Sequence, residues 1–200
     1  MISVVIPALN AERYLSATLA ALVPAAIDGL VREVIVADGG SVDETAAIAD
    51  QAGADFISSP PGRGLQLNAG AAHARFPWLL FLHADTILSE AWASEASRFM
   101  NAVDCGERHS AAAVFRFRLD DDGLKARTHE ALARTRCSIF ALPYGDQGLL
   151  ISRRLFDEVG GYKNIAAKED ADIARRLGRR RLAFLAAEAV TSAERFHKDR

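Results

Sequence analysis

Apolar residues in this chain gather in short unbroken runs, each closed by a polar break and followed by a longer segment with helical spacing. Ile2-Ser3-Val4-Val5-Ile6, Val34-Ile35-Val36-Ala37 and Trp78-Leu79-Leu80-Phe81-Leu82 do not alternate as half-exposed strands would. Continuous runs of this kind suit strands buried on both faces of a mainly parallel sheet. Between them, Asn10 is placed to cap a helix with Leu15, Thr18, Leu19 and Leu22 on its inward face. Ser41-Val42-Asp43-Glu44 reads as a capping box opening a helix to about Ala52. A strand at Asp55–Ser58 leads through Pro60-Pro61-Gly62-Arg63-Gly64 into a helix near Leu65 to Ala74. The order is βαβαβαβ, and it predicts an α/β fold with a Rossmann-like, mainly parallel central sheet flanked by helices.

The pattern changes after Asp85. A helix over about Glu90 to Val103 precedes Ala113-Val114-Phe115-Arg116-Phe117-Arg118-Leu119, which alternates with its arginines on one face. A helix near Leu124 to Arg136, the loop Pro143 to Gly148, a short strand Leu149-Leu150-Ile151 and a helix from about Lys168 to Arg180 follow. No linker or repeat divides the chain, so residues 1–200 are read as one domain with functional halves at 1–85 and 86–200.

Each of the first three runs delivers polar atoms at its C-terminal end: Pro7-Ala8-Leu9-Asn10, Asp38-Gly39-Gly40-Ser41 and His83-Ala84-Asp85. Open α/β sheets bind ligands along that edge. Asp38 is placed to hydrogen-bond a base or ribose, and Gly39 and Gly40 to let a ligand approach the backbone, with Pro7 and Asn10 framing the same crevice. A turn and helix cap would account for Asp38-Gly39-Gly40-Ser41 equally well if it stood alone. Arg63 at a helix entrance is placed to meet a diphosphate or the nucleotide portion, although a solvated loop arginine is the commoner fate of such a residue.

Composition removes competing classes. Twenty-four Lys and Arg against 26 Asp and Glu give a formal charge of -2, without the positive field that nucleic-acid binding favours. Cys105 and Cys137 have no ligand spacing around them and fit a reducing compartment, so a cytoplasmic location is expected. No apolar stretch is long enough to span a bilayer. There is no Gly-X-Ser-X-Gly elbow and no phosphate loop ending in Gly-Lys.

Taken in order, Val5 to Asn10, Asp38-Gly39-Gly40-Ser41 with Asp43-Glu44-Thr45, Gly64-Leu65-Gln66-Leu67-Asn68-Ala69-Gly70, His83-Ala84-Asp85 and Glu169-Asp170 resemble the family 2 glycosyltransferases. The resemblance covers nearly the whole chain. It is nearest to short bacterial members with His-Ala-Asp in place of Asp-X-Asp and a Gly-Asp-Gln-Gly loop, here Gly145 to Gly148. It implies a GT-A fold and an inverting transfer of sugar from a nucleotide-diphospho-sugar, UDP-sugar foremost, to an acceptor hydroxyl. Residues 1–85, with Ala84 and Asp85 closing the crevice, would bind the donor; residues 86–200 would bind the acceptor and supply the base.

Within that frame, Asp85 would hold Mn²⁺ or Mg²⁺ against the phosphates. His83 stands where the motif has its first carboxylate, and would touch ribose or serve the structure. His197 would add an imidazole ligand, although an exposed tail histidine is the simpler account. Asp170 lies on the helical face of Ile173, Ala174 and Leu177 and would be the general base. Tyr144, Asp146, Gln147 and Glu169 are the candidates for sugar or acceptor contacts; for Glu169 and Asp172, first-turn acids favoured by the helix dipole are the plainer reading. Arg175-Arg176 and Arg179-Arg180-Arg181 read as cations at a helix end, with a phosphorylated lipid or the inner face of the membrane as the alternative contact.

The resemblance allows a lipid or a small glycan as acceptor, and relatives of this type commonly continue past the point matching Arg200. Two other readings stay beside it. A nucleotidyltransferase on a related sheet would want a glycine-rich basic N-terminal loop, which Pro7-Ala8-Leu9-Asn10 lacks. A non-catalytic nucleotide-sugar-binding module would not need both Asp85 and Asp170.

Overall fold

The computed structural model describes residues 1–109, 111–121, 145–165 and 168–192. Eight strands, β1 (Ile2–Ala8), β2 (Val31–Asp38), β3 (Asp55–Ser58), β4 (Trp78–Phe81), β5 (Thr86–Leu88), β6 (Ala112–Leu119), β7 (Leu149–Ser152) and β8 (Leu182–Thr191), form one sheet in the order β3-β2-β1-β4-β7-β6-β8-β5. β3, β2, β1 and β4 are parallel. β7 runs antiparallel to β4 and β6, β8 is parallel to β6, and β5 is antiparallel to β8. The expected parallel character therefore belongs to the first half, and the second half makes the sheet mixed.

Alternate residues of the central strands feed two cores. Val4, Ile6, Leu80 and Leu82 face α1 (Glu12–Ile27) and α4 (Trp92–Asp104) through Leu15, Leu19, Leu22, Trp92 and Phe99. Val5, Leu79 and Phe81 face α3 (Arg63–His73), α5 (Arg153–Glu158) and α6 (Glu169–Leu177) through Leu67, Phe156 and Ile173. Coverage of both faces is why these strands read as unbroken apolar runs. Arg116 and Arg118 of β6 are exposed between buried neighbours, as the alternation predicts.

Two helix starts differ from expectation. Asn10 does not cap α1; its backbone is left-handed (φ 51°), and α1 has no side-chain cap from its own N-cap residue, Ala11. Ser41 does not open α2 (Thr45–Gln51), whose N-cap, Glu44, makes no such bond either. The loops after β1 and β2 cap each other instead. Thr45 Oγ1 accepts from the Ala11 amide at 2.8 Å and Asp43 Oδ2 from the Glu12 amide at 3.0 Å, while Glu12 returns a carboxylate oxygen to the Glu44 amide. The Ala11, Glu12 and Glu44 amides are thus satisfied by residues about thirty positions away along the chain, and the Thr45 amide by Asp43 nearby.

The chain also contains elements that periodicity did not announce: the short edge strand β5, the single-turn-and-a-half helix α5, and β8. The last helix stops at Leu177, earlier than expected, because Gly178 takes a left-handed φ of 73°. The region of the expected helix at 124–136 lies outside the described residues. No helix among those described is long and apolar enough to cross a membrane.

α3 lies unusually close to its neighbours. A Cβ on Gly70 would collide with Val5 Cγ1 and one on Gly64 with the Lys163 carbonyl oxygen. Gly70→Ala should therefore lower unfolding stability by about 1–3 kcal/mol. Adding Val5→Ala should recover part of that loss, which a urea-denaturation double-mutant cycle measures as a favourable coupling.

Candidate active site

The chain runs from β1 outward to β2 and β3, then returns to place β4 on the other side of β1. That reversal is a topological switch point, and the loops leaving neighbouring strands there part to open a crevice. β4 pairs with β1 only as far as Val5, so Pro7 to Ala11 and His83 to Asp85 form opposite walls. Gly62, Arg63 and Gln66 of the α3 entrance close the third side of a crevice of about 510 Å³. This volume falls within the range of small-molecule sites.

Most of the residues expected around a nucleotide are brought together here: Pro7, Ala8, Asn10, Arg63, Ala84 and Asp85 line one crevice. Asp38 is placed differently. It is buried, its Oδ2 accepts from the Gly40 and Ser41 amides at 2.8 Å, and its Oδ1 accepts from the Ser41 hydroxyl. The carboxylate is turned into its own loop because donors two and three residues ahead are within easy reach. Asn10 then ties that loop to the first, its amide donating to Ser41 Oγ at 2.8 Å and its Oδ1 accepting from Val42 at 3.0 Å.

Two α3 residues hold the crevice in shape. Buried Gln66 donates through Nε2 to the carbonyls of Ala8 at 2.6 Å and Ala37 at 2.9 Å, clamping the ends of β1 and β2. A side chain on Gly39 would press against that amide. Asn68 exchanges two hydrogen bonds with the Tyr162 backbone, 2.7 Å out and 2.9 Å back. Arg176 of α6 donates to the Val159 and Gly161 carbonyls of the same turn. Arg176 thus serves the fold, and Arg181 pairs with Glu158 at 2.6 Å, so the arginine run is partly engaged within the protein.

Beside the crevice lies a smaller, mostly apolar recess walled by Phe81, His83, Tyr162, Asp170 and Ile173. His83 borders both spaces. Its Nδ1 lies 2.7 Å from Asp146 Oδ1, which assigns the histidine a partner within the protein. Asp146 is therefore bound to His83, and Gln147, expected toward the acceptor, is buried with Nε2 donating to the Phe115 carbonyl at 2.8 Å. Tyr144 and His197 lie outside the described residues.

At the start of α6 the two acids differ from what helical spacing alone suggested. Glu169, 3% exposed at its side chain, is the more buried and receives Arg63 Nη1 at 3.2 Å; Asp170, 19% exposed, has the same nitrogen at 4.0 Å. Asp172 takes the outer face and pairs with Arg176 and Lys163. Burial pushes the Asp170 carboxyl up to about 6; His83 and Arg63 oppose the rise, and Glu169 and Asp146 add to it. Burial likewise raises the Tyr162 phenol, helped by the negative charge of Asp170 and Glu169.

The model of glycosyl transferase family 2 matches residues 3–160. The chain belongs to this family. Among curated relatives, glucosyl-3-phosphoglycerate synthase of Mycolicibacterium paratuberculosis is 37% identical over 95 residues, 43% of this chain and 29% of that protein. An uncharacterized glycosyltransferase of Mycobacterium bovis is 39% identical over 85 residues, covering 42% of this chain and 36% of its own length. The matched segment thus spans 29% and 36% of these two relatives.

Among solved structures, S. aureus TarS residues 1–349 align over 98% of this chain and 62% of that one, with a TM-score of 0.72 at 18% identity. Glucosyl-3-phosphoglycerate synthase of Mycobacterium tuberculosis, solved with Mn²⁺, UDP and glucosyl-3-phosphoglycerate, aligns over 96% of this chain and 71% of that one, with a TM-score of 0.68 at 25% identity. These neighbours share the GT-A fold.

The raised Asp170 pKa carries a stability consequence whose sign is fixed by linkage. Its folded value lies above the ordinary 3.8, so the stabilising proton is held fully below about pH 4 and lost as pH rises through about 6. At pH 7 the ionised carboxylate therefore costs the fold about 3 kcal/mol. Asp170→Asn should melt several degrees above the wild type at pH 7, and the difference should shrink toward pH 4 in thermal scans.

Proposed function

We propose that this protein is an inverting glycosyltransferase that moves a sugar from a nucleotide-diphospho-sugar to an acceptor hydroxyl, with Asp170 as general base. The observation that carries the reading is the position of Asp170. It is a partly desolvated carboxyl with a pKa near 6, in a recess that shares His83 with the crevice at the switch point. A base of that strength is ionised at neutral pH yet accepts a proton far better than an exposed aspartate.

In the reaction, the acceptor oxygen bonds to the anomeric carbon as its proton passes to Asp170. The bond from that carbon to the diphosphate oxygen breaks on the opposite face, and its electron pair leaves with the nucleoside diphosphate. Attack from the side opposite the leaving group inverts the configuration. The protein's share of the catalysis is to hold the two substrates in line and to receive the proton.

UDP-sugar is the favoured donor class, supported by the mycobacterial relative whose structure holds UDP and Mn²⁺. Pro7, Ala8 and Asn10 would flank the nucleoside, with Asp38, Gly39 and Gly40 shaping the adjoining loop, while Arg63 and Ala84 would lie beside the diphosphate. A divalent ion, Mn²⁺ or Mg²⁺, would be held by Asp85, whose Oδ1 is buried at the crevice wall. Among the described residues no three His, Cys, Asp or Glu gather to ligate an ion. One carboxylate with phosphate and water oxygens remains a workable hard-ion donor set. Bound there, the ion would neutralise charge on the departing diphosphate.

The acceptor would approach from the α6 side, where Asp146, Gln147, Glu169 and, outside the described residues, Tyr144 belong to the second half of a single domain. A lipid or a small glycan is the proposed acceptor class, used in the cytoplasm or at the inner membrane face.

Titration calorimetry with UDP, GDP, ADP and CMP should show Mn²⁺-dependent binding of UDP, lost in Asp85→Ala and kept in Asp170→Asn. With a UDP-sugar and acceptor, Asp170→Asn should lower turnover by about 10²–10⁴-fold, and wild-type kcat/KM for the donor, which reports the free enzyme, should fall as pH drops below about 6. Failure of all four nucleotides to bind would overturn the assignment.

A further inference from the structure

Arg63 belongs to both halves of the site. Its place in the first turn of α3 sets it on the crevice wall with Asp85, while its Nη1 reaches 3.2 Å to Glu169 and 4.0 Å to Asp170 across on α6. The two ends of this contact differ in freedom. Glu169 is buried, with 3% of its side chain exposed, whereas Arg63 is 37% exposed and can turn within the crevice. A guanidinium presents five donors in a planar fork that fits carboxylate and phosphate alike. A diphosphate entering the crevice therefore competes with the two carboxylates for one cation.

We propose that Arg63 is a positioning residue that couples the half-sites: Glu169 and Asp170 hold it until a nucleotide diphosphate draws it away, which frees Asp170 to take the acceptor proton. The proposal rests on reading the crevice as the donor site.

The charged and titratable groups facing Asp170 come from several elements: Arg63 from α3, His83 from the turn after β4, Asp146 from the turn before β7, Glu169 beside it on α6, and Tyr162 from the turn before α6. His83 is nearly buried and already paired with Asp146, its side chain 9% exposed. Arg63 is the member of this group that is both substantially exposed and on the crevice wall. Withdrawing a cation from about 4 Å raises a carboxylate's pKa by about one unit or more. Before the donor arrives, the base is held weak; once Arg63 has turned to the phosphates, it is strong, with a sugar in place to receive the acceptor oxygen.

The test is calorimetry of UDP with Mn²⁺ at pH 6.5, repeated in two buffers of different ionisation enthalpy, on the wild type and on Asp170→Asn. Subtracting the mutant removes protons exchanged by the nucleotide itself. The wild type should take up about half a proton more per UDP than Asp170→Asn, for a one-unit rise from near 6. Arg63→Gln should lose this excess uptake, and Arg63→Lys, which keeps the charge and guards against a folding defect, should retain part of it. Equal proton exchange by wild type and Asp170→Asn, with UDP bound to both, would overturn the coupling and leave the donor site standing. Absence of UDP binding by the wild type would instead overturn the donor-site reading, and the coupling with it.

Discussion

The seating of α3 against the C-terminal ends of β1 and β2 is the constraint from which the rest of the site follows. Gly70 and Gly64 remove the side chains that would hold the helix away from Val5 and from the Lys163 backbone. At that separation Gln66 can reach two carbonyls on different strands and Asn68 can grip the Tyr162 backbone in both directions. The same helix therefore fixes the floor of the crevice and the turn that leads to α6. Arg63, on the first turn of α3, is delivered to the Glu169–Asp170 pair by this packing. A helix displaced by the thickness of one methyl group would break each of these contacts, since hydrogen bonds weaken steeply with distance and angle.

The electrostatics of the recess disfavour an ionised Asp170. Asp170 lines a largely apolar space, with the carboxylates of Asp146 and Glu169 acting on it from nearby and His83 and Arg63 opposing them. Burial of a carboxylate is tolerated where a partner offsets its desolvation, and the partners here are shared unequally. Glu169 has Arg63 at hydrogen-bonding distance, whereas Asp170 has it only at 4.0 Å. The poorly compensated member is the one with the raised pKa, and it is also the one with a side chain open to the recess. A residue that lowers stability at neutral pH and faces a recess is more readily explained by proton transfer than by structure.

Legibility in the sequence followed the range of the interactions. The buried strands and the inward face of α1 were readable because residue type at fixed spacing determines them. β8 is hard to read because its first six residues, Leu182 to Ala187, have neither clean alternation nor β-branched residues, and only its last two, Val190 and Thr191, are β-branched; pairing with β6 and β5 makes it a strand. The start of α1 was misjudged for a related reason: Asn10 looks like a local cap, but its partners are Ser41 and Val42 in another loop. The order of burial of Glu169 and Asp170 was equally hidden, since the arginine that decides it lies 106 residues earlier. The crevice residues Pro7, Arg63 and Asp85 could be named because strand ends in an α/β sheet converge whatever the loop details. What they hydrogen-bond to could not.

Just past the end of β4, His83 has its imidazole committed to Asp146 at 2.7 Å. An ion in the crevice would then have Asp85 as its protein carboxylate and would balance less of its charge against the protein. More of its positive charge would be left for the diphosphate, which raises the pull on the leaving group but weakens retention of the ion before the donor arrives. A site built this way gains from a second, protein-borne cation on the crevice wall, one that is present regardless of metal. Arg63 occupies that position, anchored by acids that belong to the opposite half of the site. On the proposed reading, the single carboxylate of Asp85 and the arginine shared with Glu169 and Asp170 belong to one electrostatic arrangement.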